Sequence, residues 1–151
     1  MMTTVNTTTE RHNPLIEDFK RFYRDMKYGK AVDISDIYAD NVIFVDPIHK
    51  LQGLDNLSAY LDHSLENVTE CRFEFLDIIA SDSIAYIKWR MHYHHPKISA
   101  QPQTLKGISH LHFDQKITFH EDVYDMGSMV YEHLPIIGRI IGYIKRRIAR
   151  G

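Results

Sequence analysis

With 151 residues the chain is long enough for one domain to bury its own apolar core. Its 44% hydrophobic and 25% charged residues and its net charge of −2 are ordinary for a globular protein and give no basic footprint for nucleic acid. The single cysteine, Cys71, excludes an intramolecular disulfide and a Cys-rich metal site, and no run reaches the roughly 18–20 apolar residues of a membrane span.

The opening residues MMTTVNTTTERHNP are polar and Thr-rich without an apolar signal core, so residues 1–13 are expected to form a flexible tail on a cytoplasmic protein. From Pro14 the pattern turns helical, with Leu15, Ile16, Phe19, Phe22, Tyr23 and Met26 on one face. Asn13 before Pro14 supplies a cap, and Gly29 a stop. A shorter helix runs through Ile34, Ile37 and Tyr38, with Asp33 or Ser35 as its cap. The apolar run Val42 to Val45 then reads as a strand ended by Asp46-Pro47, because Pro47 has no N–H for a ladder. Asp46 is thus a carboxylate on a rigid strand end, suited either to meeting a ligand or to closing an Asx-type turn. Gly53 supplies a turn, and Leu54, Leu57, Leu61, Leu65 and Val68 mark a third helix.

The runs 71–80, 83–94, 105–113 and 117–125 are rich in β-branched and aromatic residues, and turn residues fall at Asp82-Ser83 and 114–116. Helices followed by a meander of long strands predict an α+β fold, with helices on one face of a curved antiparallel sheet. Alternation places Ala85, Ile87, Trp89, Met91 and Tyr93 against the helices and turns Tyr86, Lys88, Arg90, His92 and His94 outward. In the last strand His120, Asp122 and Tyr124 alternate with Phe119, Glu121, Val123 and Asp125. Neither face is plainly apolar, and a polar face kept inside needs a wet or ligand-filled cavity. From Met129 the chain returns to helix, starting properly near Pro135. Val130, Leu134, Ile137, Ile141, Ile144 and Ile148 step along one side, and Arg139, Lys145, Arg146, Arg147 and Arg150 carry the charge. The expected division is a tail 1–13, a domain 14–128 and a basic amphipathic helix 129–151.

The run YADNVIFVDP, followed by Gly and a helix, and the last strand ITFHEDVYD resemble the SnoaL-like branch of the nuclear transport factor 2-like superfamily over residues 14–126. The resemblance implies a cone in which a curved antiparallel sheet wraps around the N-terminal helices, here with an extra C-terminal helix. It also implies a deep apolar pocket that takes a small apolar or amphipathic molecule. That superfamily includes isomerases, dehydratases, cyclases, epoxide hydrolases and non-catalytic modules. The Asp-Pro strand end is similar to that of ketosteroid isomerase, whose general base falls on Asp46. The two enolate donors of that enzyme fall on Phe22, which cannot donate, and on Ser109, a weaker donor, so its steroid isomerisation is not expected. Limonene-type epoxide hydrolases are similar at Arg90-Met91-His92 and Asp122, but His92 replaces one carboxylate, and that match turns Arg90 and His92 inward.

The candidate acid–base residues are therefore Asp46, His49, His110 and Asp122, with Phe22, Tyr23, Phe44, Trp89, Met91, Ser109 and Tyr124 lining the pocket. The run His92-Tyr93-His94-His95 lacks a carboxylate placed to complete a metal site, and neither metal nor cofactor is expected. A homodimer is expected through the outer sheet face carrying Tyr86, His92, His110 and His112. The competing function is a non-catalytic binding, assembly or regulatory module. Its C-terminal helix would be a lid, a dimer contact or, as the lesser expectation, a peripheral membrane anchor.

Overall fold

The structure, a computed structural model, describes residues 13–28, 32–129 and 137–150. The expected tail, apart from Asn13, lies outside these residues, as do Gly29, Val130, Leu134 and Pro135. Helix α1 (Pro14–Asp25) opens as its sequence requires: the Asn13 side chain accepts from the Leu15 N–H at 3.0 Å and Pro14 occupies the first turn. One turn, α2 (Ile34–Ile37), is capped by Asp33, which accepts from Ser35 N at 2.9 Å. Strand β1 (Tyr38–Val45) stops at Asp46, and after a turn β2 (Lys50–Gln52) pairs back on it. Gly53, at φ 93°, bends the chain into α3 (Leu54–Ser64); that backbone angle favours glycine. Strands β3 (Glu70–Ala80), β4 (Ile84–His94), β5 (Gln103–Phe113) and β6 (Ile117–Tyr124) form the meander. The short α4 (Met126–Met129) and α5 (Ile137–Arg150) follow.

The six strands lie in the order β2-β1-β6-β5-β4-β3. All pairs are antiparallel except β1 with β6, so the sheet is mixed rather than wholly antiparallel. Strand β1 also begins at Tyr38, four residues before the predicted start, because Tyr38 pairs with Ile117. A pairing across so much intervening chain leaves no local sequence signal. Register shifts in β1 and β3 accompany the curvature of the sheet. The concave face takes α1 and α3, burying Phe19, Phe22, Ile37, Leu57, Ile87, Leu111 and Ile117 in one cluster. Trp89, Tyr93 and Leu105 form a second cluster. Helix α3 ends at Ser64, short of the predicted Val68, yet Val68 packs on that second cluster.

Strand β4 alternates as expected, with Ala85, Ile87, Trp89 and Tyr93 buried. Arg90 and His92 face outward, where Glu74 lies 3.7 Å from Arg90 and 3.1 Å from His92, so the inward placement drawn from the epoxide hydrolase resemblance does not hold. Among the described residues no helix is long and apolar enough to cross a membrane.

Opposite Trp89 stands Gly107, and the Trp89 indole occupies the space that a β-carbon there would need. Gly107→Ala should therefore displace the indole and destabilise the protein by about 2 kcal/mol. A melting temperature lowered by roughly 4–8 °C, with an altered near-ultraviolet Trp signal, is the expected readout. An unchanged melt would show that the ring has room to move.

Candidate functional site: a buried polar chain and an aromatic cavity

Inside the cone five elements deliver polar groups to one line. Tyr23 of α1 and Tyr38 of β1 meet hydroxyl to hydroxyl at 2.7 Å, and Tyr38 reaches His120 Nδ1 at 2.7 Å. His120 Nε2 lies 2.8 Å from Asp122 Oδ1, which also accepts from Ser109 Oγ at 2.5 Å. Ser109 in turn accepts from Trp89 Nε1 at 2.9 Å. A carboxylate only accepts, so the Nε2–H of His120 donates to Asp122, and Nδ1 is left to Tyr38. His120 is 1% exposed and Tyr38 0%, so the chain also satisfies groups that water cannot reach.

Beside this line lies a cavity of about 10 Å³, bounded by Phe19, Tyr23, Phe73, Phe75, Trp89, Ser109, His120 and Asp122. That is room for about one water molecule. Both hydrogen bonds to Asp122 fall on Oδ1; Oδ2 accepts from no described residue.

The second carboxylate is committed differently. Asp46 Oδ1 accepts from the N–H groups of Ile48 at 2.8 Å and His49 at 2.7 Å, closing the turn that follows β1. Its Oδ2 accepts from the Tyr60 hydroxyl. His49 Nδ1 sits 3.4 Å from Asp46 Oδ1, so this pair is adjacent as expected. Phe44 stands between the two polar groups, its ring 4.9 Å from His120 and 5.5 Å from Tyr60.

The structure therefore brings Tyr23, Trp89, Ser109 and Asp122 to the cavity. Phe44, Met91 and Tyr124 pack nearby without bounding it, and Phe22 is buried in the core one residue out of phase with Tyr23. His110 is not a partner for Asp46: alternation puts it on the convex face, stacked on Tyr86 at 4.5 Å, with its Nε2 3.0 Å from that of His112. Sequence reasoning missed His120, Tyr38, Tyr60, Phe19, Phe73 and Phe75 as site residues. The one available signal was the pair His120 and Asp122 sharing the inward phase of β6.

Burial pushes the hydroxyls of Tyr23, Tyr38 and Tyr60 well above the ordinary tyrosine range. The Asp122 charge adds to the effect on Tyr23 and Tyr38, and the hydrogen bond to Asp46 adds to it on Tyr60. Below the ordinary value of 10.0 these groups are protonated whether the chain is folded or not. Above it the unfolded chain releases protons that the native state keeps, so stability falls as pH rises. A spectrophotometric titration should show these three tyrosines ionising only in the transition that unfolds the protein. Ionisation while the near-ultraviolet signal stays native would contradict their burial.

The SnoaL-like domain profile matches residues 19–120, spanning α1 to the middle of β6. A search of curated proteins finds no match. Among solved structures, an NTF2-like protein of unknown function from Burkholderia pseudomallei K96243 is similar at 16% identity and TM-score 0.67, over 76% of this chain and 93% of that one. A candidate SnoaL-like polyketide cyclase from Shewanella putrefaciens CN-32 has 18% identity and TM-score 0.64, over 76% and 90%. TerC, co-crystallised with polyporic acid, has 17% identity and TM-score 0.63, over 78% and 95%. Profile and topology agree, and the chain belongs to the SnoaL-like family, with its NTF2-like, ketosteroid isomerase-like fold.

Proposed function

We propose that the chain is a cytoplasmic protein that binds a small, flat, apolar or amphipathic molecule in its cone and carries out acid–base chemistry on it at Asp122. The observation that carries this reading is the asymmetry of that carboxylate. Two donors pin Oδ1 while Oδ2 is left for a ligand, at the wall of an aromatic cavity. A fixed carboxylate with one uncommitted oxygen is placed to take a proton from a weakly acidic C–H or O–H, in a chemistry of isomerase, dehydratase or cyclase type. His120, itself held by Tyr38, keeps the carboxylate oriented, and the aromatic walls of Phe19, Phe73, Phe75 and Trp89 suit a flat substrate. The cavity as it stands admits about one water, so a substrate enters only by displacing aromatic side chains. The complex of TerC with polyporic acid supports a ligand of this kind on the same fold.

Asp46 takes the supporting role in this reading. Both of its oxygens are engaged, and through Tyr60 it ties α3 to the end of β1. The enolate-binding pair of ketosteroid isomerase is not reproduced, since Phe22 is core and the Tyr23 hydroxyl is taken by Tyr38.

Trp89 is the only tryptophan and lines the cavity, so its fluorescence reports occupancy. Polyporic acid and related flat hydroxylated aromatics should quench it saturably. Once a turned-over compound is found, Asp122→Asn should lower the rate by a factor on the order of 100 to 10,000 while the fold survives. Asp46→Asn should mainly cost stability, about 1–3 kcal/mol. An Asp122→Asn variant as fast as the parent would remove Asp122 from the mechanism.

A homodimer through the convex sheet face accompanies this proposal. Ile84, Tyr86, Ile108 and Val123 are exposed there around the stacked His110, and a bare apolar patch of this kind favours association. Sedimentation at ~10 μM, near the affinity range of weak specific interfaces, should show a dimer that Ile108→Asp/Val123→Asp converts to monomer. A parent protein already monomeric would sink the idea.

A further inference from the structure

Helix α5 is chemically unlike the domain that precedes it. Of the 18 basic and 20 acidic residues in the chain, Arg139, Lys145, Arg146, Arg147 and Arg150 fall within α5 and no acidic residue does. The remainder of the protein is therefore net acidic. At about 100° per residue, Ile140, Ile141, Ile144 and Ile148 fall within an arc of roughly 100°. Arg139, Arg146 and Arg150 centre on the opposite side, while Lys145 and Arg147 flank the isoleucine stripe to left and right. This order, an apolar stripe edged by long cations over a basic back, suits a boundary between hydrocarbon and anionic headgroups. The stripe reaches the hydrocarbon while the flanking stems run up to the charge.

The stripe is not used up by the fold. Ile140, Ile144 and Ile148 are 54%, 48% and 74% exposed, and Tyr143, at the edge of the basic face, is 58% exposed. The helix is tied to the domain through Lys145, whose Nζ lies 2.8 Å from Asp125 just past the end of β6. This tie is at one flank and leaves Ile140, Ile144 and Ile148 outward, with Ile141 half-buried. The helix is about 21 Å long, too short to span a bilayer but long enough to lie along one.

We propose that α5 is a docking surface for anionic phospholipid, lying in the plane of the membrane with its isoleucines inserted and its arginines among the headgroups. A lipid surface fits better than a second α5, because two such helices would bring five like charges each to one contact. The apolar stripe supplies depth and the single sign of charge supplies selectivity for anionic headgroups. The site in the cone does not depend on this surface.

The test uses the full chain and vesicles of phosphatidylcholine containing about a quarter phosphatidylglycerol, against pure phosphatidylcholine. The parent protein should co-sediment with the anionic vesicles at low salt and be released at roughly 1 M salt, where the Debye length falls to about 3 Å. Ile144→Glu/Ile148→Glu should abolish binding, and each neutralisation among Arg139→Gln, Arg146→Gln and Arg150→Gln should weaken it about fivefold. Ile144→Trp should bind like the parent and add a blue-shifted emission on anionic vesicles alone. Equal binding to both vesicle types, no binding at low salt, or binding indifferent to Ile144→Glu/Ile148→Glu would each overturn the proposal. So would a lipid-free protein whose size falls in that double variant, because a second copy would then be what covers the stripe.

Discussion

The rest of the structure depends on keeping one half-buried carboxylate, Asp122, hydrogen-bonded at the wall of an aromatic core. A carboxylate left there without its donors costs about 1–3 kcal/mol, a large share of a domain's margin of stability. Here the two donors come from separate elements, His120 from β6 itself and Ser109 from β5, and Trp89 of β4 donates to Ser109 in turn. Tyr38 of β1 and Tyr23 of α1 stand behind His120. The network therefore constrains how helix and strands sit around β6. Loss of a middle member such as Tyr38 would orphan two neighbours at once, each at a cost of about 1–3 kcal/mol.

The parallel pairing of β1 with β6 makes this possible. It sets Phe44 beside His120 in register and carries the Tyr38 hydroxyl to the inner nitrogen of that ring. The same strand, ending at Val45, delivers Asp46 to the turn beyond. Two carboxylates, Asp46 just past the end of β1 and Asp122 within β6, thus have different duties. Asp46 spends both oxygens on its own turn and on Tyr60; Asp122 spends one. The glycine at 107 belongs to the same design, since it lets the Trp89 indole lie flat enough to donate to Ser109.

The convex sheet face and helix α5 both expose apolar side chains, and their chemistry differs. The convex sheet face mixes Ile84, Ile108 and Val123 with the Tyr86–His110 stack and with charges of both signs, among them Arg90, Glu74 and Glu121. The face of α5 is edged by cations alone. The first suits a surface like itself, the second an anionic one, because charges of mixed sign can pair with their own copies while charges of one sign repel.

Local pattern carried much of the fold. Asn13-Pro14 and Asp33 announced helix starts, Asp46-Pro47 a strand end, and the period-two alternation of β4 correctly turned Arg90 and His92 outward against the family resemblance. These are features that neighbours in sequence decide, through capping, a missing N–H and the pleat. The site was less legible. Asp122, Ser109, Trp89 and Tyr23 were named, but the residue that joins them, His120, reads locally as one polar position among several. What gives it a role is Tyr38, 82 residues earlier, and a parallel pairing that has no local signature. Whether Phe22 or Tyr23 faces the cavity turned on the roll of α1 against β3, which both residues permit by hydrophobic spacing. Only packing of the whole cone chose Tyr23, because its hydroxyl finds a partner there and a buried hydroxyl without one is costly.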